Sequence, residues 1–150
     1  MIRLNRTDSS DPHFIDLVRD LDAELAIRDG EDHMFYSQFN TIQGLKHVVV
    51  AYIDGYPAGC GAIKPFDEAT MEIKRMFVRA DYRRMGIAGT VLGELEKWTL
   101  ELSCKKCILE TGLKQPEAIG LYKKTGYIPI PNYGQYEGVE TSVCFIKELV

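Results

Sequence analysis

Apolar residues at Phe14, Leu17, Val18, Leu21 and Leu25 recur at the spacing of one helix face. Ser10-Asp11-Pro12 just ahead of them reads as a helix start, with a capping side chain and then proline at the first helical position. Gly30 is the expected stop. Residues 2–5 read as a short first strand. Residues 31–45 have no clean period, and a short second helix is expected over 34–39. The pattern then changes. Residues 47–53 are apolar and β-branched, as in a buried strand, and Asp54-Gly55 is a hairpin signal leading to a return strand over 58–63. A turn at Asp67-Glu68 leads into a third strand over 71–78, which completes an antiparallel meander.

Beyond the polar, basic run 79–85, the apolar residues Ile87, Val91, Leu95, Trp98 and Leu102 predict a long amphipathic helix over 86–102. A short strand at 107–110 follows, then a helix over 115–124 with Pro116 near its start and Gly126 just past its end. Strand 71–78, helix 86–102 and strand 107–110 form a βαβ unit, so those two strands should be parallel. Residues 129–138 read as a turn-rich loop and 140–147 as a last strand. The order predicts an α/β (α+β) fold with a mixed, mostly antiparallel central sheet and helices on both faces.

The 150 residues are expected to form a single domain, 1–150. With 45% apolar and 27% charged residues the chain is neither a disordered segment nor a disulfide scaffold. No apolar stretch approaches the roughly 20 residues that span a bilayer. The first residues lack a signal-peptide pattern, so no membrane association and a cytoplasmic location are the expectations. A net charge of −4 argues against a nucleic-acid partner. Charge is nevertheless segregated. Residues 8–32 are acid-rich, while Lys74, Arg75, Arg79, Arg83 and Arg84 cluster before the long helix. Cys104 and Cys107 have a CxxC spacing, but no second close pair accompanies them and they lead into a strand. Ordinary reduced thiols and no metal are expected.

The chemistry concentrates at Arg83-Arg84-Met85-Gly86-Ile87-Ala88, between a strand and a helix. The first turn of a helix has unpaired N–H groups and a positive dipole end, which suits an anion. Gly86 lets the backbone come close, and the arginines add charge. Most basic turns before helices are only turns. Here Arg83-x-x-Gly86-x-Ala88 resembles the (Gln/Arg)-x-x-Gly-x-(Gly/Ala) signature of the GNAT acyl-CoA N-acyltransferases. Ala118-Ile119-x-Leu121-Tyr122 and Gly126-Tyr127 resemble a second motif of that family. The similarity covers residues 71–130.

The resemblance implies acetyl-CoA as cosubstrate. Backbone groups of Met76, Phe77 and Val78 would pair with its pantetheine arm, and N–H groups from Arg84, Met85, Gly86, Ile87, Ala88 and Gly89 would hold its diphosphate. Arg83 would lend charge. Gln115 stands where family members often carry an asparagine that binds pantetheine. Tyr122 matches the family's tyrosine near the sulfur, and Glu72 the strand-borne base of some members. Members of the family often pair, and exposed edge strands allow a homodimer.

The chemistry sets its own demands. An alkyl amine of pKa ~10.4 is mostly protonated at pH 7, at a cost of about 4–5 kcal/mol unless a base removes the proton. Glu72 is the first candidate, although Lys74 and Arg75 are near enough to neutralise it. Glu110 is the rival, as catalytic base or as part of the acceptor site. A phenol of pKa ~10 protonates a thiolate of pKa ~8.5 uphill by about 2 kcal/mol, so Tyr122 serves better as a hydrogen-bond donor to the sulfur.

Tyr133 and Tyr136, with Glu137, are candidates to wall the acceptor pocket. The acidic 8–32 region favours a cationic amine, whereas Arg28, Lys64 or Arg75 would suit an acceptor carboxylate. A polyamine, an amino acid, an aminosugar, an antibiotic and a protein N-terminus all remain open. The expected function is N-acetylation of a small primary amine by direct attack in a ternary complex, since no cysteine is placed as an acyl carrier. The alternatives are a non-catalytic acyl-CoA-binding module and an acetyltransferase acting on a protein amine.

Overall fold

The computed structural model describes residues 1–37 and 41–150. Its strands are β1 (Ile2–Thr7), β2 (His47–Ile53), β3 (Tyr56–Asp67), β4 (Thr70–Val78), β5 (Lys106–Gly112), β6 (Ile128–Ile130) and β7 (Ser142–Glu148). Its helices are α1 (Pro12–Asp29), α2 (His33–Ser37), α3 (Ile87–Glu101) and α4 (Pro116–Lys124). The strands form one sheet in the order β1-β2-β3-β4-β5-β7-β6, antiparallel except at β4–β5.

Local chemistry explains most of these elements. Asp11 caps α1 by accepting from the His13 N–H at 2.8 Å, with proline at the start of the helix. Asp54 and Gly55 both take positive φ, 51° and 85°, as a two-residue hairpin loop of this twist requires. β2 is buried on both faces. Val48, Val50 and Tyr52 pack under α1, and Val49, Ala51 and Ile53 under α3. The continuous apolar run in the sequence is the signature of that double burial.

The structure differs from expectation in three places. β3 runs four residues past the expected 58–63 at its far end, to Asp67. The stretch read as a loop over 129–138 contributes the short edge strand β6 and a 3-10 turn at Gly134–Tyr136. The expected second helix is present as α2, but residues 38 and 39 of the range 34–39 lie outside the described residues.

Two irregularities shape the centre of the sheet. Cys60 pairs with Phe77 and Ala62 with Lys74, so Gly61 alone stands opposite both Arg75 and Met76. This is a β-bulge, with Arg75 at φ 57°. The extra residue resets the alternation. Met71, Ile73, Met76 and Val78 belong to the core under α3, while Phe77 joins the core under α1. Arg75 turns to the α1 side and pairs with Asp22. The second irregularity is that β4 and β5 pair only from Thr70 to Glu72 against Lys106 to Ile108. Beyond Glu72 and Ile108 the two strands part.

Candidate active site

The gap between β4 and β5 opens into a cleft of about 740 Å³. One wall is β4 from Ile73 to Val78. The other combines Glu110, Thr111 and Gly112 of β5 with Gln115, Ala118, Leu121 and Tyr122 around α4. The loop before α3 closes one end, and Leu21, Leu25, Asp29, Tyr36 and Tyr136 lie across the α1–α2 side. The structure therefore gathers Met76, Phe77, Val78, Arg83, Arg84, Gly86, Ile87, Ala88, Gly89, Gln115, Tyr122, Glu110 and Tyr136 from distant parts of the chain into one cavity.

β4 offers a free edge to this cleft. The Arg79 N–H donates to Ala58 O at 2.8 Å, toward β3. Strand alternation then turns the polar backbone groups of Val78 the other way, and those of Phe77 back toward β3. Val78 O accordingly accepts from Arg83 Nε at 2.9 Å. At the loop, Arg84 and Gly86 take φ 67° and 79°, and Gly86 precedes the first residue of α3. Two left-handed residues so close together fold the backbone into a concave turn, and the helix behind it leaves its first N–H groups unpaired. Open space lies beside Gly86 and Gly89. The Arg83 guanidinium does not point into this turn. It holds both carboxylate oxygens of Glu24 at 3.0 Å. Met85 is half-exposed and does not line the cleft.

Two carboxylates were candidates for the base, and the structure separates them. Glu72 is 4% exposed and absent from the cleft lining. Tyr133 Oη donates to its Oε2 at 2.7 Å, and Lys74 Nζ lies 3.5 Å away. Tyr133 likewise sits behind the cleft, its ring edge-on to Phe66 and Tyr136. Glu110 lines the cleft itself, with Ser142 Oγ donating to Oε2 at 2.7 Å. Burial pushes the Glu110 carboxyl up to about 7, against the pull of that hydrogen bond and of Lys74.

Tyr122 is 5% exposed and packs beside Tyr127 and Phe145. Burial, and then the Glu110 charge, push its phenol well above the ordinary range, so it stays protonated and able to donate.

Of the three cations considered for a substrate carboxylate, two are engaged and one lies outside the cleft. Arg28 joins Glu24 and Glu117, and Arg75 joins Asp22. Lys64 is exposed and does not line the cleft. All four cysteines are buried free thiols, and burial drives Cys60 up to about 12. Among the described residues no helix is long and apolar enough to cross a membrane.

Several participants left no mark in the sequence. Ser142 is an ordinary strand residue until β7 is laid beside β5. Tyr36 reaches Ser142 Oγ at 2.9 Å and Thr141 Oγ1 at 2.5 Å from the segment that showed no period.

A mixed sheet split beyond a parallel strand pair, with a glycine-led helix N-terminus at the split, defines the acyl-CoA N-acyltransferase fold. The profile of the Acetyltransferase (GNAT) family matches residues 15–127, and the chain belongs to that family. It is 35% identical over 89 residues to a protein of Azospirillum brasilense named IAA acetyltransferase. That match covers 59% of this chain and 58% of the relative, so the chain spans little more than half the relative's length. Among solved structures, a Klebsiella pneumoniae protein provisionally classed as an acyl-CoA N-acyltransferase superposes with a TM-score of 0.84 at 26% identity, over 100% of this chain and 99% of that one. A GNAT family acetyltransferase from Elizabethkingia anophelis with acetyl-CoA bound has a TM-score of 0.68 at 20% identity, over 99% and 98% of the two chains. At that identity the likeness is one of fold.

Proposed function

We propose that the protein transfers the acetyl group of acetyl-CoA to a primary amine of a small molecule, by direct attack within a ternary complex. The observation that carries this reading is a half-buried carboxylate, Glu110, facing the same cleft as a buried phenol, Tyr122, with burial pushing the carboxyl up to about 7 and keeping the phenol protonated. Acetyl-CoA supplies an acyl carbon activated as a thioester. The free edge at Met76 and Val78 would hold its pantetheine arm, with Gln115 opposite. The backbone from Arg84 to Gly89, supported by Arg84, would hold its diphosphate. Phe77 contributes by packing rather than by its backbone, which alternation turns toward β3.

Glu110 accepts a proton from the incoming ammonium. A base with pKa near the working pH is the effective compromise between basicity and availability. Tyr122 donates a hydrogen bond to the sulfur as negative charge gathers there. Glu72, held by Tyr133 and Lys74, fixes the wall behind Tyr136 instead of meeting the amine. Glu110 therefore takes the base role first considered for Glu72.

Thiol release from acetyl-CoA, measured against a broad amine panel with acetyl-CoA melting shifts alongside, tests the proposal. Acceleration by a small amine supports it. A melting shift with no acceleration points to a macromolecular amine or a non-catalytic acyl-CoA-binding module. No shift removes the diphosphate role of the loop before α3.

A further inference from the structure

Charge is unevenly satisfied along the cleft. Arg28 bridges Glu24 and Glu117, Arg83 holds Glu24, Lys74 sits against Glu72, and Arg75 against Asp22. Among the described cations that line the cleft, Arg84 alone has no carboxylate partner, and it stands at the loop before α3.

Asp29 is the reverse case. It ends α1, lines the cleft and is 5% exposed, yet among the described residues no donor reaches its carboxylate. Lys114 Nζ passes it by, donating to the Asp29 backbone carbonyl at 3.1 Å and lying 3.5 Å from Asp32. Burial pushes the Asp29 carboxyl above its ordinary value in spite of the charges of His33 and Lys114. A carboxylate on the cleft wall with little solvent contact and no hydrogen-bond donor is a ready counter-charge for a cation bound in the cleft. Asp29 is also close enough to Glu110 for its charge to raise that group further. Leu21, Leu25, Tyr36 and Tyr136 also line the cleft, apolar surfaces suited to methylenes and aromatic rings suited to a cation.

We infer that Asp29 docks a second ammonium group of the acceptor, so that the substrate class is a short α,ω-diamine with one nitrogen at Glu110 and the other at Asp29. This rests on the amine-acetyltransferase reading above. At the reacting end the N–C bond forms as the C–S bond breaks. Of the two protons that leave the ammonium nitrogen, one goes to Glu110 and one to the departing sulfur. At the distal end nothing reacts, and charge fixes the reach of the chain. An amine bearing a carboxylate meets two like charges there, while Arg84, the cleft cation without a carboxylate partner among the described residues, stands at the loop before α3.

The test compares kcat/KM for α,ω-diamines of three to six carbons, 1-aminobutane and 4-aminobutanoate at saturating acetyl-CoA. The best diamine is expected to exceed 1-aminobutane at least tenfold, with 4-aminobutanoate poorest. Asp29→Asn is expected to cut the diamine-to-monoamine ratio at least fivefold, through KM rather than kcat, with Asp29→Glu restoring part of it. Equal rates for diamine and monoamine in the wild type overturn the inference and leave the amine reading standing. A ratio unmoved by Asp29→Asn overturns it as well. Turnover of none of these amines, beside a clear acetyl-CoA melting shift, overturns the small-amine reading and the inference with it.

Discussion

Ser142 Oγ donates to Glu110 Oε2 at 2.7 Å while its other side meets Tyr36 Oη at 2.9 Å. A hydroxyl held from both sides gives its hydrogen bond to the charged carboxylate preferentially and keeps Glu110 from rising further. Ser142→Ala is therefore expected to move the acid limb of the kcat/KM profile upward by about one pH unit, the order of a hydrogen bond to a charged group. An acid limb that stays in place would sink this assignment.

Glu110 itself should govern that limb. With its pKa near 7, kcat/KM is expected to rise with pH through that value and then level. Glu110→Gln should cost roughly 10²–10⁴-fold, the range for loss of a general base. Glu72→Gln, a change outside the cleft, is expected to keep the limb and move it slightly downward, because the Glu72 charge helps to raise Glu110. Pre-steady-state thiol release across pH 5.5–9 reads both.

The same group bears on stability, with a definite sign. Glu110 rises from 4.5 to about 7 in the fold. A carboxylate raised on folding adds stability below its unfolded pKa, and that contribution is lost as pH climbs through the folded one. The loss runs from pH about 4.5 to 7 and amounts to at most about 3 kcal/mol. Melting curves of wild type and Glu110→Gln should consequently diverge in the variant's favour between pH 5 and pH 8. Parallel curves would show that the carboxylate is not desolvated.

Tyr122→Phe should lower kcat at least tenfold and leave acetyl-CoA affinity nearly intact. The ring still packs against Tyr127 and Phe145, and only the donor to the sulfur is gone. Titration of acetyl-CoA by melting shift, beside steady-state kinetics, separates the two effects.

Gly61→Ala should destabilise the protein by about 1–3 kcal/mol. A Cβ there would lie 2.5 Å from Met76 Sδ, 2.9 Å from Leu95 Cδ1 and 3.0 Å from Val91 Cγ1. Relief requires the Met76, Leu95 and Val91 side chains to move, and Met76 belongs to the free edge of β4. A raised KM for acetyl-CoA should accompany the lower melting temperature.

Much of this architecture was legible before the structure. Proline and Asp11 marked the start of α1, Asp54-Gly55 marked the hairpin, and the motif from Arg83 to Ala88 marked the loop before α3. These are local signals, written in neighbouring residues. The arrangement of the two carboxylates is not local. Glu72 and Glu110 occupy adjacent strands, but Glu72 is closed off by Tyr133, which returns from the far side of β6. Glu110 is tuned by Ser142, reached only when β7 pairs with β5. The bulge was hidden too, because it falls on Arg75 at a positive φ where glycine would have announced it. Asp29 stood unmarked among the many acids of residues 8–32, and helix packing is what brings it to the cleft wall.

The three-residue contact between β4 and β5 makes the sheet two panels joined by a short seam. A strand-like ligand arm lying along Met76 and Val78 would act as a missing rib, tying the panels together past the point where their own hydrogen bonds end. Stability would then track cosubstrate supply, by about 2.7 kcal/mol at a hundredfold excess over the dissociation constant. Starved of acyl groups, the protein would become the more easily unfolded form of itself, and its abundance would report on the supply it uses.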